Sequence, residues 1–202
     1  MEMTEVIKTL EDNIVTRLHL FTKTIDNAPT KAMSNLISLS PQCKTIAFGE
    51  MLLFLLHYVD RLAYETDVPQ KTRLTLRNES VQNLINKEIL PPKITGRLID
   101  DGIEPSLNSF GASPSAAAEA LLPLFLGEIA EADKYYSQCT TFIGENLYDE
   151  NGLVNKLANR ILNQCEPEDN LLSRFFIITT VSDVLLQPEL AKQDRKALNI
   201  LR

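Results

Sequence analysis

The chain reads as an all-α protein, a single-domain bundle of about six to nine helices around three apolar helices. Three observations predict this. Apolar residues recur at helical spacing along most of the sequence. Leu, Ile, Ala, Asn, Glu and Lys dominate a composition with only seven glycines, a balance that favours helix over sheet. Three segments, near 46–65, 115–142 and 171–186, are apolar around most of their circumference, as the inner helices of a bundle are. With 202 residues and 44% hydrophobic content, one domain over 1–202 can bury roughly 70% of its unfolded surface without a staple.

The first helix runs from Met3 to Ile25. Met3, Val6, Ile7, Leu10, Ile14, Leu18, Phe21 and Ile25 follow spacings of three and four, and the narrowness of that stripe puts the helix on the outside of the body. His19 lies beside the stripe as a surface histidine. Asn27 to Thr30 breaks the helix, and a short helical piece follows from Thr30 to Leu39. Ser40-Pro41 is a strong start signal, a serine cap followed by proline at the first helical position. The central helix therefore spans Pro41 to Glu65. Gly49 inside it costs about 1 kcal/mol in propensity relative to alanine, which a close approach by a neighbouring element would explain.

Thr66 to Pro69 ends the central helix. Ser80–Leu90 and Pro92–Ile99 read as two short helices joined at Pro91-Pro92. The alternating stretch Arg73–Arg77 is too short to support a sheet and reads as helix or loop. Residues 100–113, dense in Gly, Pro, Asn and Ser, form the clearest surface loop, long enough to cover a pocket. Ser113-Pro114 repeats the cap-and-proline signal and opens the second apolar helix, in which Pro123 removes one backbone hydrogen bond. A turn over Leu147–Gly152 precedes a short amphipathic helix, Leu153–Gln164. Asp169 and Asn170 cap the third apolar helix, Leu171–Leu186, whose β-branched centre suits a strand but whose length favours helix. Pro188 starts the last amphipathic helix, with Lys192, Arg195 and Lys196 toward its negative end.

Composition excludes several functions. A formal charge of −7 argues against a phosphate-binding surface, so no nucleic acid partner is expected. The longest apolar run, Met51–Leu56, is far too short for a membrane span, and the first residues lack a secretory pattern, so a cytoplasmic location is expected. Cys43, Cys139 and Cys165 are widely spaced without a CxxC pair, which points to reduced, buried thiols. No P-loop, GxGxxG, GxSxG or HExxH motif occurs, so the reading leans away from an enzyme and names no cofactor.

Two polar stripes carry what chemistry there is. On 46–65, Glu50, His57, Arg61 and Tyr64 fall within roughly 60° of one another, with Asp60 on the shoulder. On 115–142, Glu128, Glu131, Tyr135 and Gln138 share a face. His57, Asp60, Glu128 and Glu131 have the spacing to converge on a carboxylate-rich metal site. The Glu-x-x-His signature of such sites is absent, and no metal is expected. The same groups also suit a satisfied polar network that fixes helix register, or the floor of a small-molecule pocket.

The candidate ligand-binding residues are His57, Asp60, Arg61, Tyr64, Glu128, Glu131 and Tyr135. Between Glu104 and Asp169 eleven acidic residues stand against three basic ones, a field that can steer a basic partner. The function expected is a protein–protein interaction or adaptor module with an acidic face. A protein partner is expected, and homo-oligomerisation is left open. The alternative is a small-molecule or metal-binding protein, enzymes included, with a pocket between helices 46–65 and 115–142.

Overall fold

A computed structural model of the chain describes residues 3–27, 39–94, 114–139, 152–165 and 171–202. Among them lie seven helices: α1 (Met3–Asp26), α2 (Pro41–Glu65), α3 (Gln70–Asn86), α4 (Pro114–Tyr136), α5 (Leu153–Leu162), α6 (Leu171–Leu185) and α7 (Pro188–Leu198). None of the described helices is long and apolar enough to cross a membrane. The all-α bundle expected from the sequence is the architecture observed.

Helix α2 begins where its cap signal places it. Ser40 is extended, its Oγ accepts the Cys43 N–H at 3.1 Å, and Pro41 opens the helix. Every residue from Gly49 to Tyr58 is buried, because α2 packs against α1, α3, α4, α5 and α7. Gly49 has the close neighbour that its presence implied. A Cβ there would stand 3.1 Å from Pro92 Cγ and closer still to Cδ. The neighbour is the ring that opens the helical turn Pro92–Ile94.

Helix α1 differs from expectation. It packs against α2, α3, α6 and α7 and buries Glu11, Asn13 and Arg17 beside its apolar stripe. Hydropathy made that stripe look narrow, but paired polar side chains widen it. Arg17 and Asp194 of α7, both fully buried, meet at 2.7 Å. Asn13 Nδ2 donates to the same carboxylate at 2.8 Å. Glu11 is held by Lys87 and by Asn83, the latter at 2.9 Å. Buried charges persist when an opposite charge lies against them in this way.

Helix α3 starts ten residues before the periodic reading placed it, and Arg73–Arg77 is helical. Both α2 and α3 close without glycine. Asp67 (φ 59°) and Glu88 (φ 57°) take the left-handed conformation, and the next N–H returns five residues, Val68 to Ala63 O and Ile89 to Leu84 O, each at 2.9 Å. These are Schellman closures. Helix α6 keeps its β-branched centre helical by turning hydroxyls inward. Thr179 donates to Phe175 O at 3.0 Å and Ser182 to Ile178 O at 2.6 Å, so these groups need no other partner.

The cysteine expectation is corrected. Cys43 and Cys165 form a disulfide with Cα atoms 5.1 Å apart, across 122 residues of sequence. Only Cys139 is a free, buried thiol. Linear spacing does not show such a pair, because folding α5 onto α2 is what brings the two together. The expectation of a reducing compartment drew on unbonded cysteines, and this bond removes that support. The expected pieces at 30–38 and 95–99, the loop 100–113, the turn over 147–151, the caps Asp169 and Asn170, and the end of the second apolar helix at 140–142 lie outside the described residues.

Substituting Gly49→Ala sets a methyl against a ring that cannot rotate away. We expect a loss of about 1–3 kcal/mol, as for other overpacked cores, read as a lower urea midpoint with unchanged slope. An unchanged midpoint would show that α2 and Pro92 do not touch.

Candidate functional site

The polar edge of α2 meets its neighbours in two clusters. In the first, Asp60 Oδ2 is bound by Arg73 Nη1 at 3.2 Å and by Arg77 Nη2 at 3.1 Å. Arg77 Nη1 reaches Asp133 Oδ2 at 2.8 Å, and Asp133 Oδ1 accepts from His57 Nδ1 at 2.8 Å. Three helices supply this chain, two residues from each of α2 and α3 and one from α4. Helical spacing makes it feasible: His57 and Asp60 are three apart, Arg73 and Arg77 four apart, so each pair shares a face.

The Asp133 carboxylate accepts only, so the hydrogen sits on Nδ1 of His57. Nε2 is buried and has no hydrogen-bond partner among the described residues. The imidazole lies against Tyr136, ring centroids 5.4 Å apart. Phe54 meets the same tyrosine edge-on at 5.4 Å. Tyr136 is fully buried, and its hydroxyl likewise lacks a partner among the described residues. Burial pushes its phenol well above the usual value, and the Glu50 charge adds to the effect.

The second cluster is centred on Glu50, which is buried. Arg160 Nε donates to one of its oxygens and Gln164 Nε2 to the other at 2.6 Å. Arg160 and Lys156 also stand over the Tyr135 ring, 5.3 and 5.8 Å from its centroid. The Tyr135 hydroxyl donates to Lys156 O at 3.4 Å, and burial raises its phenol. Cys139, at the end of α4, has its thiol pushed up by burial, with Lys156 and Arg61 opposing.

The seven candidate residues do not share one pocket. His57 and Asp60 belong to the first cluster. Tyr135 belongs to the second and joins the first through its ring contact with Tyr136 at 5.4 Å. Arg61 reaches Glu65 of its own helix at 3.5 Å. Tyr64 is 67% exposed and lies under Arg73, 5.2 Å from the guanidinium. Glu128 is buried with Lys93 at 3.5 Å, and Glu131 is exposed.

Asp133, Arg73, Arg77, Arg160 and Tyr136 carry the clusters and were not among the candidates. The arginines at 73 and 77 had a signal, a basic pair one turn apart. Asp133 had none: it lies roughly 140° or more around α4 from the Glu128–Tyr135 stripe, counted at 100° per residue. Among the described residues no three His, Cys, Asp or Glu side chains gather closely enough to hold a metal. Beside Asp60, a cavity of about 20 Å³ between α1, α2 and α3, walled by Ile14, Leu56 and Leu76, has room for about one water.

Compared with protein-family models, with curated proteins and with solved structures, the chain matches none.

Removing Arg77 takes a partner from both Asp60 and Asp133. The groups are about one-fifth exposed, so the cost is screened below that of a fully buried pair. We expect Arg77→Met to lose about 1–3 kcal/mol. A double-mutant cycle with Asp133→Asn should give clear coupling, and additive losses would break the proposed connection.

The phenols of Tyr58, Tyr135 and Tyr136 all lie above the ordinary value of 10.0, each chiefly through burial. The folded protein therefore keeps protons that the unfolded chain loses. Their contribution to stability is intact below pH 10 and declines as pH rises through the folded values. Denaturation from roughly pH 9 to 11 should show this decline, and Tyr136→Phe should make it shallower.

Proposed function

We propose that this protein binds another protein, and that the outer face of α4 is the binding surface. One observation carries the reading. Ala120, Pro123, Leu124, Gly127 and Ala130 line the solvent side of α4, all exposed, with Glu119 and Glu131 beside them. Counted at 100° per residue they occupy one band of roughly 140°. A helix that is merely solvated carries long polar side chains there. This one offers a low apolar track with Glu119 near one end and Glu131 near the other, which suits a partner helix with a basic flank over the track. The exposed Lys134 lies one turn beyond Ala130 and Glu131.

Gly127 sharpens the argument. Among the described residues a Cβ at this position would meet nothing within 4 Å, so none of them requires glycine here. Glycine inside a helix costs about 1 kcal/mol relative to alanine, and a closely approaching partner supplies a reason for it. The acidic face expected from the sequence is narrower in this reading. Asp133 and Glu128 are drawn into pairs within the bundle, which leaves Glu119 and Glu131 outward.

Gly127→Ala should raise the stability of the free protein by roughly 0.5–1 kcal/mol. The binding reading is tested by placing a photo-crosslinking side chain at position 127 and, as a control, at the exposed Asn86 of α3. A defined adduct from 127 alone, lost in Glu131→Lys and at high salt, supports it. Equal adducts from both positions, or adducts indifferent to Glu131, overturn it.

A second reading, a ligand held against the buried face of α2, is favoured by the paired absence of partners at His57 Nε2 and the Tyr136 hydroxyl among the described residues. Native mass spectrometry discriminates. A bound species lost in His57→Ala supports it, and an unchanged apo spectrum removes it.

A further inference from the structure

Cys43 and Cys165 lie on the same seam as the Glu50 cluster. Cys43 and Glu50 are seven residues apart, two turns along one face of α2. Gln164, which binds Glu50, immediately precedes Cys165. The join between α2 and the end of α5 is therefore closed twice, once by the disulfide and once by the charge-assisted bonds of Arg160 and Gln164. Leu153, Leu157 and Ile161 are buried along the rest of α5 and hold the helix down without either closure.

We propose that the Cys43–Cys165 bond is a reversible redox switch that tightens and loosens the last turn of α5 against α2. This rests on the disulfide and the seam, and is independent of the binding surface on α4. The two sulfurs differ in a way that suits exchange. Cys165 is half-buried, whereas Cys43 is buried. Cys43 also sits in the first turn of α2, with its own N–H capped by Ser40. The positive end of a helix offsets there the rise that burial alone gives a thiol.

A low-molecular-weight thiol therefore attacks Sγ of Cys165 as its thiolate. The S–S bond breaks, and Cys43 leaves as a thiolate and takes up a proton. A second thiol resolves the mixed disulfide, releasing Cys165 as a thiol and forming the oxidised reagent. Two electrons and two protons pass to the protein. The third cysteine does not compete. Cys139 is buried, and burial pushes its thiol up, away from the reactive form.

Once reduced, Gln164 and Arg160 alone close the seam's end, while the apolar contacts of α5 persist. The change is confined to residues 160–165 and the facing turns of α2. The same sulfurs close again on oxidation because the buried face of α5 keeps them near one another.

The test uses the full chain equilibrated in glutathione buffers of varied ratio. Thiols are trapped by alkylation and mapped by mass. We expect the 43–165 bond to open in native protein under millimolar reduced glutathione and to re-form under oxidised glutathione. On opening, amide exchange should rise about tenfold or more at 160–165 while α1 and α3 stay unchanged. The double variant Cys43→Ser/Cys165→Ser should show the loosened pattern in every buffer. Resistance to glutathione in the native state would overturn the proposal. So would exchange that rises throughout the chain, which marks a static staple, or exchange unchanged at the seam.

Discussion

The bundle depends on partnering the polar edge of a helix that is otherwise apolar. Helix α2 is buried through its middle, and a buried carboxylate or imidazole there is tolerated only when another group satisfies it. Glu50 takes Arg160 and Gln164 from the α5 end, Asp60 takes two arginines from α3, and His57 takes Asp133 from α4. Each hydrophilic residue on the edge thus selects a different neighbour. A slip of α2 by one turn would leave several charges buried and unpaired at once.

The same device recurs away from α2. Arg17 and Asp194 join α1 to α7 in full burial, and Glu11 with Lys87 joins α1 to the end of α3. Such pairs add little net stability over apolar contacts of equal volume, but breaking one is costly. Their effect is to make the correct packing distinguishable from near alternatives that bury the same leucines. Apolar packing supplies the bulk of the driving force, through a core that runs from Val6 to Leu198.

This division of labour bears on function. Groups that looked free to bind a ligand in the sequence are mostly engaged with other helices. His57 is an intermediate case, held at one ring nitrogen by Asp133 and lacking a partner at the other among the described residues. The outer track of α4 differs in kind, because its residues are small or apolar yet exposed, and a Cβ at Gly127 meets nothing among the described residues.

Much of the fold was legible in the chain. Local rules act over a few residues, so Ser40-Pro41 and Pro188 mark helix starts to the residue, and periodicity marks α1, α5 and the helical nature of α6. The candidate site was legible only in part. His57, Asp60 and Tyr135 stood out because they interrupt apolar faces, but which residues they would meet depends on how α3, α4 and α5 dock. Asp133 gives no local signal, Arg73 and Arg77 gave only a basic cluster, and Cys43 finds Cys165 across 122 residues. Side-chain spacing along one helix is a property of that helix, whereas pairing between helices is a property of their packing. Tertiary structure alone decides it.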